Sequence, residues 1–311
     1  LLVMFFLVSI MIIIGGLTRL TDSGLSITEW EIFKGFFPPV SKSTWIEYFE
    51  AYKRIPEFQL QNYSMSLSEF KVIFWWEWFH RFFGRLIGLC FLLPLIYFSF
   101  KIKLINLLHY YLIFLLICFQ GFIGWYMVSS GLIDRVDVSH YRLSLHLVTA
   151  FIILSVIFWK FLELTRIQSQ YVSFNINLVK FFLFLLFLQL IIGAFVSGMD
   201  AGKVYNTWPL MGTSYFPDDS KFIEFINIKV FDNPSIVQFI HRNLAYLIVG
   251  IYIYILFFSI KEQNKNFRIP IIIIGVSLLL QVVLGILTIL SGVKIFYASL
   301  HQINSILIIL S

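Results

Sequence analysis

The stretch FWWEWFHRFFGR, running from Phe74 to Arg85, sets a glutamate, Glu77, three residues before a histidine, His80, in an otherwise apolar and aromatic segment. Residues three apart share a helix face, so carboxyl and imidazole are expected to look into the same space. The surrounding run from Val72 to Phe98 is long enough to cross a bilayer. An ionisable group inside such a span is a candidate functional group. A later stretch repeats the pattern. SIVQFIHRNLAY, from Ser235 to Tyr246, carries the same dipeptide as His241-Arg242, with Gln238 in the place of Glu77.

The whole chain supports a membrane reading. Its 311 residues are 59% hydrophobic and 13% charged, with a mean hydropathy of +0.87. A soluble domain carries about 25% charged residues, so a soluble class is excluded and an all-α polytopic membrane protein is expected. Eight spans are predicted, near Leu1–Leu17, Val72–Phe98, Leu104–Val128, Leu143–Phe161, Leu178–Val196, Ile236–Ile260, Ile269–Leu290 and Ile295–Ser311. The eighth is expected to run on past the last residue. Short loops after the second, fourth and sixth spans hold Lys101, Lys103, Lys160, Arg166, Lys180, Lys261, Lys265 and Arg268 against Glu163 and Glu262. Those loops are expected on the cytoplasmic or matrix side, with both termini. The same lysines and arginines account for the net charge of +6, so nucleic acid is not an expected partner. The long loops, about 18–71 and 197–234, then lie outside. Cys90 and Cys118 both fall in apolar spans, where packing is their expected role.

An internal repeat organises the chain. Gly15, Asp22, Gly24 and Trp30 recur as Gly193, Asp200, Gly202 and Trp208 at a constant spacing. His80-Arg81, Gln120, Gly124 and Ser130-Gly131 recur as His241-Arg242, Gln281, Gly285 and Ser291-Gly292. Ser144-Leu145-His146 recurs as Ser299-Leu300-His301. Two four-helix bundles are expected, 1–166 and 167–311. Because four is even, they are parallel repeats about an axis along the membrane normal.

Four of the six histidines belong to the repeat: His80, His146, His241 and His301. Each follows the last charged outer residue (Lys71, Arg142, Asp232, Lys294) by four to nine positions, a depth of about 6–14 Å at the helical rise. A lone histidine in a span usually serves as an interhelical hydrogen bonder. Four in one layer, two per half, instead suggest ligands. Zinc would want three or four close ligands, whereas one imidazole from each of two helices suits the axial positions of a haem within a bundle. Gly84, Gly124 and Gly285 are expected to let a porphyrin approach the backbone. His109 and His140 have no repeat partner and are read as structural. Arg81, Arg85 and Arg242 are candidate propionate partners, and Arg85, lying deeper, is expected to pair with Glu77 or a propionate. Because Gln238 cannot ionise, acid/base chemistry is expected in the first half beside Glu77, and a permanent group in the second. In the first outer loop Trp45, Tyr48, Phe49, Tyr52 and Tyr63 fit either short helices lying over the site or a docking surface for a partner.

With these residues in view the chain resembles the haem A synthase family over essentially its whole length. The resemblance rests on GGLTRLTDSGLSITEW after the first span, EWFHR in the second, QGFIGWYMVSSGL and SLH around the third and fourth, and FIHRN and SLHQ in the sixth and eighth. It implies oxidation of a haem O ring methyl to formyl by successive hydroxylation, giving haem A for cytochrome oxidase. It implies haem B on His241 and His301, the substrate haem on His80 and His146, and Glu77 in catalysis. It also implies a bacterial inner or mitochondrial inner membrane location. The partners it implies are a haem O synthase, an electron-transfer protein and further copies of the chain. The first outer loop holds no cysteine, as in the cysteine-free branch, so a mechanism using loop thiols is excluded. Two rivals are weighed: a di-haem electron-transfer cytochrome, which predicts equivalent halves, and a haem or ion transporter, which predicts charged or broken helices at mid-membrane.

Overall fold

In the computed structural model, residues 1–30, 34–133, 135–165, 175–261 and 265–311 are described. Seven helices are long and apolar enough to cross a membrane: α1 (Leu2–Leu20), α4 (Leu67–Ser99), α5 (Leu104–Val128), α6 (His140–Leu164), α7 (Ile176–Gly198), α8 (Pro234–Lys261) and α9 (Lys265–Leu290). A further apolar helix, α10 (Ile295–Leu310), has 16 residues and is too short for that class. Two short helices, α2 (Lys42–Tyr52) and α3 (Pro56–Leu60), lie in the first long loop. No strand is present among the described residues. The chain is an all-α polytopic membrane protein. Arg166 and Glu262, used above to orient the loops, lie outside the described residues, as does the expected boundary at 166 and 167.

Two compact units divide the chain, Leu1–Thr165 and Arg166–Ser311. In the first, α1 packs on α4 and α6, and α5 packs on the same two helices. In the second, α7 packs on α8, α8 on α9 and α9 on α10. The 33 residues of α4 span about 50 Å at 1.5 Å per residue, well beyond the roughly 30 Å a bilayer core requires. Its surplus is at the N-terminal end. There Ser66 and Glu69 form a capping box, which starts the helix in polar sequence ahead of the apolar run.

That extension carries a cap. Trp45, Phe49 and Tyr52 of α2, with Ile55, pack with Phe70 and Phe74 of α4 and with Leu25 and Ile27. Three of the five loop aromatics are therefore buried in a small core, whereas Tyr63 is exposed. The repeated aspartates are turn residues. Asp22 and Asp200 adopt left-handed backbone, with φ of 47° and 51°, just after α1 and α7. Aspartate tolerates that region better than most residues because its short side chain bonds locally. Here Arg19 Nη1 donates to Asp22 Oδ1 at 2.7 Å.

Candidate functional site

The repeat histidines come together in pairs. His80 on α4 and His146 on α6 have ring centres 6.4 Å apart. His241 on α8 and His301 on α10 are separated by the same 6.4 Å. Two imidazoles bound at about 2.0 Å on opposite sides of one metal would place their ring centres about 6.3 Å apart. Both pairs therefore stand at the separation that two imidazoles sharing one metal would have. Among the described residues no three His, Cys, Asp or Glu side chains converge, which argues against a zinc-type cluster.

Each ring lies in a notch on the neighbouring helix. A Cβ at Gly15 or Gly124 would stand 3.0 Å from Cε1 of His80 or His146, and at Gly193 or Gly285 3.1 Å from Cε1 of His241 or His301. Nδ1 lies on the same edge, 3.5 to 3.7 Å from those positions, and Nε2 of His146 and His301 is nearly as close, at 3.8 and 3.9 Å. Nδ1 of His80, His146 and His241 is buried without a hydrogen-bond partner, and Nδ1 of His301 lies 3.1 Å from the Gln281 carbonyl oxygen. Gly124 and Gly285 were expected beside the histidines. Gly84 instead faces Met11, and Gly15 and Gly193, which open the repeated segment, occupy the other two notches. Their recurrence in register was the signal for them.

Glu77 has its own set of partners. It is 2% exposed. Its Oε2 accepts from Ser26 Oγ and from the Ile27 backbone N–H, both at 2.8 Å. Its Oε1 accepts from Arg81 Nε at 2.9 Å and Nη2 at 2.6 Å. Arg81 also donates to the Ile27 carbonyl at 2.7 Å and the Glu29 carbonyl at 3.2 Å, and lies over Trp30 at 5.0 Å. No hydrogen bond joins Glu77 to His80 among the described residues. The pairing expected for Arg85 goes instead to Arg81, because a residue four positions on lies beside Glu77 on the same helix face whereas one eight positions on is about 12 Å along the axis. Arg85 Nη1 donates to the Gly35 carbonyl at 3.1 Å, with its guanidinium over Phe36.

The second unit repeats the clamp without the acid. Arg242, 7% exposed, donates through Nη2 to the Tyr205 carbonyl at 3.1 Å and through Nη1 to the Leu210 carbonyl at 3.4 Å. Gln238 Nε2 donates to the same Tyr205 carbonyl at 3.1 Å. Arg242 Nε and Gln238 Oε1 are left buried without partners. Sequence reading did not find Gln189 and Gln281 as neighbours of the rings. Their amide nitrogens lie 3.4 and 3.3 Å from Nε2 of His241 and His301. In the first unit the residue at the Gln189 repeat position is Met11, and Gln120 donates to the His146 backbone carbonyl at 2.9 Å. The residues present fit a haem in each unit, which one histidine pair would hold.

An all-α membrane protein with two histidine pairs at metal-bridging separation, each followed by an arginine that clamps a loop segment, is thus defined by fold and site together. Residues 1–311 match the family model COX15-CtaA, described as cytochrome oxidase assembly protein. Its relatives include a protein named Heme A synthase from Pelagibacter ubique, 49% identical over 315 residues that cover 100% of this chain and 93% of the relative. Proteins of the same name from Rickettsia bellii and Flavobacterium psychrophilum are 43% and 42% identical, each covering 96% of this chain and 91% and 90% of the relative. The chain belongs to the cytochrome oxidase assembly family that contains these haem A synthases.

Proposed function

We infer that this chain is an oxidoreductase that converts a ring methyl of haem O to the formyl group of haem A. The observation that carries the reading is the equal 6.4 Å separation of the two histidine pairs in a chain related over its full length to haem A synthases. We assign haem B to His241 and His301, and the substrate haem to His80 and His146. When bound, haem B supplies one-electron redox chemistry at its iron. The chain's own residues do the rest. The glycine notches seat the edges of the four imidazole rings against the neighbouring helices. Glu77 and Arg81 hold Ser26 to Glu29 over the substrate pair, so that this segment covers the reacting edge and excludes water. Glu77 is the acid nearest that edge, and its role in catalysis is exerted with Arg81 as one paired group. Of the three arginines, Arg242 is best suited to a propionate, because its Nε has no protein acceptor. Arg81 is least suited, because its donors are already engaged.

We place the protein in a bacterial or mitochondrial inner membrane, with both termini on the cytoplasmic or matrix side and the clamped loops outside. A haem O synthase delivering substrate, an electron-transfer partner and self-association belong to the same proposal. A di-haem electron-transfer cytochrome would need only equivalent halves, and the Glu77–Arg81 pair has no counterpart in the second unit. The test is to purify the protein in mild detergent, extract its haems with acidified acetone and identify them by chromatography and mass. Haem B accompanied by haem O, a hydroxylated intermediate or haem A is expected. Haem B alone, near two per chain, would overturn the assignment of a substrate site.

A further inference from the structure

The loop between α7 and α8 ends in a stretch that exposes its apolar side chains. KFIEFINIKVFD, from Lys221 to Asp232, forms two short 3₁₀ helices, Phe222–Ile226 and Ile228–Asp232, just before α8. Phe222, Ile223, Ile226 and Ile228 are 76%, 67%, 82% and 85% exposed. The polar side chains are spent on local backbone and on the start of α8. Glu224 accepts from the Lys221 backbone N–H at 2.8 Å and from Asn233 Nδ2 at 2.9 Å. Asn227 Oδ1 accepts from the Lys229 N–H at 3.0 Å, and Asn233 Oδ1 from the N–H groups of Ser235 and Ile236 at 3.0 and 3.3 Å. Large apolar residues are ordinarily the buried ones, and a contiguous exposed group of them marks an interaction surface.

Ring contacts tie this patch to α8. Phe222 packs against Phe216 and Phe225, with ring centres 5.9 and 5.3 Å apart. Phe216 and Phe225 pack in turn against Phe239, at 5.1 and 6.4 Å. Phe239 lies five residues into α8, about 7–8 Å past its start at the helical rise. Further along, Trp208 Nε1 donates to the Tyr246 hydroxyl at 2.9 Å. The loop therefore runs along the flank of a helix long and apolar enough to cross a membrane. Tyr246, two turns beyond Phe239 on the same face, is itself 37% exposed, so patch and flank form one apolar surface. The backbone suits a shallow place in a bilayer. The N–H groups of Glu224, Asn227, Val230 and Asn233 donate to the carbonyls of Lys221, Glu224, Asn227 and Val230 at 3.0, 3.0, 2.9 and 3.3 Å. Such a segment is excluded from the hydrocarbon centre, but at the headgroup boundary apolar side chains reach about 5–10 Å inward. Lys221 and Lys229, both exposed, frame the patch and take part in none of the described ion pairs.

We propose that residues 221–229 are an interfacial membrane anchor, whose Phe222, Ile223, Ile226 and Ile228 insert among the phospholipid acyl chains of the leaflet that α8 enters. Lys221 and Lys229 stay at the level of the phosphates, their stems along the apolar surface and their ammonium groups in the polar layer. The occupant is lipid because the patch continues the flank of a span, and what covers that flank covers the patch. The anchor does not depend on the reaction assigned above. It does bear on the second histidine pair. Asp219, two residues before the anchor, donates its backbone N–H to the Tyr205 hydroxyl at 3.2 Å, and the Tyr205 carbonyl receives Arg242. The loop held by lipid is thus the loop that Arg242 clamps.

The experiment places a nitroxide spin label at Ile226→Cys in the full-length protein carrying Cys90→Ala and Cys118→Ala, in nanodiscs of phosphatidylethanolamine and phosphatidylglycerol. Collisions of the label with oxygen report lipid, and collisions with a water-soluble nickel chelate report water. Val276→Cys on α9, at a residue 62% exposed, is the lipid reference, and Glu47→Cys on the exposed side of α2 is the water reference. The label at position 226 should match the lipid reference in oxygen collisions and lose most of the nickel collisions of the water reference. Nickel collisions at the level of the water reference overturn the proposal, since the patch then stands in water. Low collisions with both reagents overturn it as well, because protein then covers the patch. Should the labelled variants not accumulate, the unaltered protein in the same nanodiscs decides. A lipid-soluble diazirine should modify the peptide that holds Phe222 to Ile228 on illumination, and hydroxyl radicals generated in water should leave it untouched. A peptide modified by the radicals, or by neither reagent, overturns the anchor.

Discussion

Glu77→Gln is the most informative single change, because it gives the first unit the side chain found at the repeat position in the second. The amide keeps one oxygen to accept from Ser26 and Ile27, but it turns an N–H₂ group toward Arg81. Two charge-assisted bonds, at 2.9 and 2.6 Å, are lost, and the guanidinium remains at 8% side-chain exposure. Removing one partner of a buried ion pair costs about 3–5 kcal/mol. Arg81 retains the Ile27 and Glu29 carbonyls and the Trp30 face, so the lower end applies, about 3 kcal/mol. At about 1.4 kcal/mol per tenfold, local opening of the clamped segment should become roughly 100-fold more frequent. Hydrogen exchange at the Ile27 amide, whose N–H is bonded to Glu77, reads this directly. Exchange there should accelerate by about that factor, haem A yield should collapse, and the haem B spectrum of the C-terminal pair should be unchanged. Unaltered Ile27 exchange would refute the clamp, and normal haem A yield would refute a role for Glu77 in the reaction.

Gln238→Glu should give Arg242 Nε the acceptor it lacks and withdraw it from a propionate, so haem B should dissociate more readily, measured as haem B retained per chain through purification. Gly275→Ala drives a Cβ into the Tyr252 hydroxyl and should cost about 1–3 kcal/mol by overpacking, seen as a lower Tm that Tyr252→Leu restores. Asp200→Val should cost about 1–2 kcal/mol because its φ is 51°, whereas Asp200→Gly should be close to neutral by the same thermal assay. The Glu57 carboxyl is raised from 4.5 to about 8, so between those values the folded protein holds a proton that the unfolded chain has lost. Stability should therefore fall as pH rises through that window and level off above it, by on the order of 1 kcal/mol per unit. Denaturation midpoints of Glu57→Gln should lack that slope.

The spans were legible because a bilayer imposes a simple length and polarity rule. Leu104–Val128 is predicted and observed at the same residues. The start of α4 was not, since Ser66 and Glu69 begin the helix in polar sequence that hydropathy cannot distinguish from loop. The histidine pairing followed from the repeat, because each ring recurs with its helix. Arg85 is expected to pair with Glu77 or a propionate, whereas the observed partner of Glu77 is Arg81, four residues on at the strongest same-face spacing. The other donors, Ser26 and Ile27, reach Glu77 across a chain separation of about fifty residues, and no local periodicity reports such a contact. The same holds for Glu57, which is buried only once α2 and α3 are folded onto α4.

The two units share a bond that shows what duplication preserved. Arg81 Nη2 to the Ile27 carbonyl and Arg242 Nη2 to the Tyr205 carbonyl join equivalent positions of the repeat, so the arginine clamp on the loop is common to both. What differs is the acceptor opposite the guanidinium. In the first unit a carboxylate neutralises it and uses both of its oxygens on protein donors. In the second a glutamine leaves the cation uncompensated and Nε unpartnered. A buried, unpaired guanidinium is costly unless an anion arrives to share it, so the second unit gains most by keeping an anionic group in place. The neutral pair of the first unit offers no such hold on a ligand's carboxylates. A site that must release its product after each cycle is better served by that neutral rim, and this is the physical reason behind the proposed placement of the exchanging haem on His80 and His146 and the permanent one on His241 and His301.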